Sequence, residues 1–182
     1  MKVIKKVLLG LVILIAVALI AALFVKKDSV VSKSVKISLG KSEVFDYVKY
    51  LKNQDNYSVW AQIDPDMIKT ARGVDGNVGF VAGWISKNEQ VGVGEQEILS
   101  ITDGERIDYE LRFLEPFESK AKTSLLVSGN DTESTVTWTF EGSTPYPFNL
   151  MLLFMDMDKM IGKDFETGLN NLKVILEKKT KE

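Results

Sequence analysis

The order of apolar and polar positions divides the chain into three regimes. Residues 7–25 form one apolar run without a charged or strongly polar side chain. Residues 35–141 alternate apolar and polar in short stretches separated by turn signals. From Asn149 the apolar positions recur every three or four residues almost to the end. Side chains repeat every 2.0 residues on a strand face and every 3.6 on a helix, so each regime predicts its own kind of element.

As a helix, the first run rises about 28 Å, close to the ~30 Å hydrocarbon core of a bilayer. Lys2, Lys5 and Lys6 flank it on one side and Lys26 and Lys27 on the other, with stems that can lie along lipid. Residues 1–27 therefore predict a single-pass membrane anchor whose apolar ends are Val7 and Val25. A cleaved signal peptide would have about 7–15 apolar residues and then a polar, small-residue cleavage site. Here the run is longer, and Ala16-Val17-Ala18 lies inside it. A buried core helix would show a polar face. Lysines near the two ends almost balance, and the short segment before the helix predicts the domain on the extracytoplasmic side.

Residues 28–34 are polar and read as a linker. Val35, Ile37 and Leu39 alternate with polar neighbours, a first strand broken at Gly40. Val44, Phe45, Val48 and Leu51 then fall on one helical face, started by Ser42 or Gly40. A short segment around Trp60 ends at Asp64-Pro65. Strands are predicted over 67–72, 78–86, 92–102, 106–114, 120–127 and 134–141. Their faces group Val78, Phe80, Ala82 and Trp84; Ile107, Tyr109, Leu111 and Phe113; and Val136, Trp138 and Phe140. Turn signals every 10–15 residues indicate an antiparallel meander. Finally Leu150, Phe154, Met157, Ile161, Phe165, Leu169, Leu172 and Leu176 form the stripe of one long amphipathic helix. The class is α+β, with one domain over 35–182. A twisted sheet with one apolar face needs a cover, and a sheet curved round a helix leaves space for a ligand.

Charge narrows the partners. The chain has 23 basic and 25 acidic residues; five bases precede Asp28 and all the acids follow Lys27. The remainder thus carries 18 bases against 25 acids, a net of −7. Such a domain is a poor match for nucleic acid or for lying flat on anionic lipid. Absence of Cys and His excludes disulfides, thiol catalysis and the commonest metal ligand and general base. No nucleophile elbow, phosphate loop or dinucleotide fingerprint is present, so no cofactor and no metal are expected. Asp156 and Lys159, three apart, are placed to pair, and Asp64-Pro65-Asp66 reads as a turn rather than a cation site.

Ser42-Glu43-Val44-Phe45 with Val48, Trp60, Asp64-Pro65-Asp66, residues 79–84, Gly94, Glu105-Arg106-Ile107-Asp108 and the stripe from Leu150 to Leu176 stand in a familiar order. Over most of 35–178 the chain resembles the polyketide cyclase/dehydrase and lipid-transport group of the SRPBCC (START/Bet v 1-like) superfamily. It is most similar to bacterial members with an N-terminal membrane helix. The resemblance implies a helix-grip fold, about seven antiparallel strands wrapped around the C-terminal helix, and an internal cavity for apolar or amphipathic molecules. It does not imply a reaction.

Within that fold Trp60, Phe80, Trp84, Tyr109, Phe113, Trp138, Met151, Phe154 and Met155 are candidates to line the cavity. Aromatic and thioether side chains suit a pocket and suit a packed core equally. Glu95, Glu97 and Arg106 are polar pocket candidates, though Glu95 and Glu97 also fit a solvated outer face. The leading expectation is a membrane-anchored module that binds a hydrophobic small molecule or lipid, with no identifiable catalytic residue. A cyclase or dehydratase acting on an aromatic or polyketide-like substrate, and a membrane-tethered protein-interaction module, are the alternatives. Oligomeric state is left open.

Overall fold

The structure, a computed structural model, describes residues 2–179. Helix α1 (Lys2–Ala22) is apolar and exposed apart from its last turn, where Ala22 is buried, and at 21 residues is long enough to cross a bilayer. It ends at Ala22, so Leu23 to Val25, read above as its last residues, form a turn outside it. Seven strands follow, with helices between the first two: β1 (Asp28–Ile37), α2 (Lys41–Val48), a 3-10 turn (Leu51–Asn56), α3 (Trp60–Ile63), β2 (Ile68–Arg72), β3 (Val81–Ile85), β4 (Val93–Thr102), β5 (Arg106–Glu115), β6 (Ser119–Gly129) and β7 (Ser134–Ser143). The chain closes with α4 (Lys163–Lys179).

The sheet order is β1-β7-β6-β5-β4-β3-β2, and every neighbouring pair is antiparallel. Strands β2 to β7 are a plain meander, and β1 adds beside β7. The sheet wraps α4, whose Phe165, Leu169, Leu172 and Leu176 are buried against it together with Val44, Phe45 and Val48 of α2. This is the helix-grip architecture.

Two expectations are corrected. Residues 28–34 are not a linker: they extend β1, with Asp28 opposite Ser143 and Val31 opposite Phe140. Only Val31 there is a buried apolar side chain, so alternation is almost silent. Backbone pairing and cross-strand hydroxyls hold the segment instead, Ser32 with Thr139 at 2.9 Å and Ser34 with Thr137 at 2.8 Å.

Nor is the last helix continuous from Asn149. Phe148–Leu153 is a 3-10 turn, Asp158–Gly162 a π turn, and α-helix begins only at Lys163. The stripe from Leu150 to Met157 is apolar at helical spacing but does not face the sheet. Its Asn149 instead binds the end of α1, donating Nδ2 to the carbonyls of Ala22 (2.7 Å) and Val25 (2.9 Å).

Candidate ligand-binding cavity

Register divides the concave face of the sheet into two halves. In the half remote from α1, Ile98, Ile107, Leu125, Val127 and Val136 are fully buried and meet α2 and α4 in a solid core. One or two inward positions further along the same strands the wall changes. Gln96 on β4, Leu111 and Phe113 on β5, Thr123 on β6 and Phe140 on β7 line a cavity of about 640 Å³. Trp84 of β3, the segment around Trp60 and the first turns of α4 complete it. Asp28 pairs with Ser143, so the cavity occupies the half of the grip next to the end of α1.

Its aromatic wall is held rather than loose. The rings of Trp138 and Phe165 stack with centroids 4.3 Å apart, and Trp60 meets Phe165 edge-on at 5.7 Å. The Trp138 Nε1 donates to Thr123 Oγ1 at 3.0 Å, and that hydroxyl donates to the Thr139 carbonyl at 2.8 Å. This chain fixes the plane of the indole. Trp84 lies across Gly94, where a Cβ would sit 2.4 Å from its Cζ2, and its Nε1 donates to the Val91 carbonyl at 3.3 Å.

Apolar surface predominates on the wall, with polar side chains interspersed. Gln54 and Gln96 line the cavity, are buried, and leave an amide nitrogen each without a protein partner. A buried donor of that kind is costly unless something bonds it. Asp55 and Lys69, also on the lining, are half-exposed and pair at 3.0 Å. Among the described residues no group of three or more His, Cys, Asp or Glu is placed to hold a metal ion.

The sequence candidates sort as follows. Trp60, Trp84, Phe113 and Trp138 are on the lining. Phe80 and Tyr109 are in the solid core, with Lys52 over the Phe80 ring. Burial pushes the Tyr109 hydroxyl well above its ordinary pKa, and the same holds for Tyr57. Met151, Phe154 and Met155 lie outside the cavity; Phe154 is 88 % exposed. They belong to the segment that leaves the sheet for α1.

Glu95, Glu97 and Arg106 are off the lining, because strand alternation turns Gly94, Gln96 and Ile98 inward and the two glutamates outward. On the outer face Arg112 bonds Glu95 at 2.6 Å and Glu97 and Glu110 at 2.7 Å each. Those bonds raise the Arg112 pKa, and the Arg112 bond holds the Glu110 carboxyl below its usual range. Arg106 pairs with Asp108 at 2.7 Å. Of the lining residues not proposed from sequence, Phe140 and Phe165 carried a signal in their periodicity. Gln96 carried it only as the residue between two outward glutamates, and Gln54 carried none.

A seven-stranded antiparallel sheet gripping a C-terminal helix over an apolar cavity defines the Bet v 1-like and polyketide-cyclase-like fold class. Solved structures agree. The di-domain ARO/CYC StfQ from the steffimycin biosynthetic pathway superposes with a TM-score of 0.63 at 6 % identity, over 86 % of this chain and 53 % of that one, so the match spans about half of StfQ. A protein from Nitrosospira multiformis gives 0.58 at 14 % identity over 85 % of this chain and 100 % of its own. Ara h 8.0201 gives 0.53 at 12 % identity over 83 % and 99 %. No family model and no curated protein matches the chain.

Proposed function

We propose that this protein is a membrane-anchored binding module for a hydrophobic, oxygen-bearing amphiphile of lipid-like chemistry. The observation that carries the reading is the cavity of about 640 Å³ walled by Trp60, Trp84, Phe113, Trp138, Phe140 and Phe165. Its size suits a small amphiphile. The unpartnered amide nitrogen of Gln96, with that of Gln54 near the Tyr57 hydroxyl, matches the carbonyl or carboxyl oxygen of such a ligand. The ionisable groups on the lining are Lys52, Asp55 and Lys69, two of them paired with each other, which favours binding over acid–base chemistry.

Helix α1 acts as the anchor. The carbonyls of Ala22, its last residue, and of Val25 in the turn after it are gripped by the buried Asn149 of the folded domain, an arrangement suited to a helix that stays attached rather than to a segment that is removed.

The test is to purify the full chain in mild detergent and identify its bound molecules by native mass spectrometry. An Ala82→Trp variant, which fills the cavity from β3, is run beside it to subtract annular lipid. One amphiphile per chain, lost in Ala82→Trp, is the expected result. Identical spectra from a folded variant and the parent protein would overturn the proposal.

A further inference from the structure

Exposed aromatic side chains and several other exposed apolar ones lie together at one end of the domain. Phe148, Met151, Leu153 and Phe154, between β7 and α4, are all exposed, Phe154 to 88 %. Strand register brings a second group beside them. Ala121 pairs with Gly142 and Phe113 with Ser119, so the turn carrying Phe117, 82 % exposed, lies next to the end of β7. Asp28, six residues past α1, pairs with Ser143 at that same end. Of the turns at the opposite end, 103–105 and 130–133 contain no apolar residue, and the β2–β3 turn exposes Val74 and Val78 but no aromatic ring.

The two apolar features, α1 and the segment 146–157, are joined by more than the chain. Asn149 is fully buried and its amide nitrogen holds the Ala22 and Val25 carbonyls, groups that a helix end would otherwise leave to water. Ala22 is fully buried as well. Phe24, Val25, Leu152, Leu153, Phe154, Met155 and Met157 border one groove between them. Two nearby acids are paired, Asp158 with Lys33 at 2.9 Å and Asp156 with Lys159 at 3.0 Å, whereas Asp28 beside the groove and Glu115 and Glu118 beside Phe117 are in no ion pair among the described residues.

We infer that the segment 146–157, with Phe117, is a second membrane attachment that enters the interfacial layer of the bilayer crossed by α1. This rests on the reading of α1 as the anchor. An apolar surface fastened to the end of a spanning helix lies at the level of the headgroups, where aromatic and long apolar side chains partition favourably. The consequence is a fixed posture. The domain does not swing on a tether, and the cavity half of the grip, which is the half next to α1, is presented to lipid.

The chain has no cysteine, so single-cysteine variants report cleanly. Val12→Cys in α1, Phe154→Cys in the segment and Thr132→Cys at the opposite end are each labelled with the fluorophore NBD. Each labelled full chain is reconstituted at one chain per nanodisc of phosphatidylcholine and phosphatidylglycerol. Doxyl groups carried near the lipid headgroup are expected to quench Phe154→Cys at least about twofold, doxyl groups at mid-chain to quench Val12→Cys, and neither to quench Thr132→Cys. A quenched Val12→Cys with Phe154→Cys in water would overturn the attachment and leave the anchor standing. A shielded Phe154→Cys that lipid doxyl cannot reach would assign the segment to protein contact and overturn the inference. An unquenched Val12→Cys would remove the anchor reading and the inference with it.

Discussion

Gly94 shows how a single atom shapes the cavity wall. Any side chain there would meet both Trp84 Cζ2 at 2.4 Å and the Arg112 carbonyl at 2.7 Å. Gly94→Ala is expected to displace the Trp84 indole and cost about 1–3 kcal/mol, as overpacking does, measured by urea denaturation with tryptophan emission. Arg112 works on the other face of the same strands, where it bonds Glu95, Glu97 and Glu110. Arg112→Leu leaves Glu97 without its cation, and Glu95 and Glu110 with only the more exposed Arg72 and Lys120, and is expected to cost about 1–3 kcal/mol near neutral pH. The folded Glu110 carboxyl lies below its unfolded value of about 4.3, so its contribution is present above that pH and is lost as pH falls through the lower folded value. The urea midpoint is therefore expected to drop below about pH 4.3, and to drop less in Arg112→Leu. Tyr109 makes the opposite case. Its buried hydroxyl has no protein hydrogen-bond partner, so Tyr109→Phe orphans nothing, and its melting temperature is expected to match or exceed that of the parent protein.

At the scale of elements, α4 is the part that both fills the grip and walls the cavity. Phe165 carries both duties, stacked on Trp138 and edge-on to Trp60. Phe165→Ala is expected to cost about 3 kcal/mol or more, since a large buried aromatic is lost with its contacts, and to weaken ligand retention in native mass spectra. Gly168 makes this packing possible, because a Cβ there would lie 3.3 Å from Trp138 Cζ3 and 3.2 Å from the Tyr57 carbonyl. The 3-10 turn before α4 serves α1 instead of the sheet. Removing its amide in Asn149→Ala frees two carbonyls at the end of α1. Faster hydrogen exchange over residues 19–27 and 146–157 is expected, with exchange in β4 to β6 unchanged.

Across the whole molecule, the solid half of the grip forms the core and the open half holds the cavity, and the boundary crosses the strands instead of following the chain. Within β5, Ile107 and Tyr109 are core while Leu111 and Phe113 are cavity wall, though all four share one apolar face. Period 2 tells which side of a sheet a residue faces, but not how far along the strand the covering helices reach. That is why Phe80 and Tyr109 read as pocket candidates alongside Trp84 and Phe113. Glu95 and Glu97 were ambiguous for a related reason: two residues on one face are visible in sequence, but which face is concave depends on the curvature of the complete sheet. The polar stretch over 28–34 hid a strand because its support comes from the β7 backbone across more than a hundred residues. By itself the sequence determined the apolar helix α1, the order of strands and helices and the α+β class, because these follow from local periodicity and from turn residues. Only the tertiary structure decided where the cavity begins and that the stripe after Asn149 turns away to α1. Both depend on which surfaces are left over once distant elements have packed.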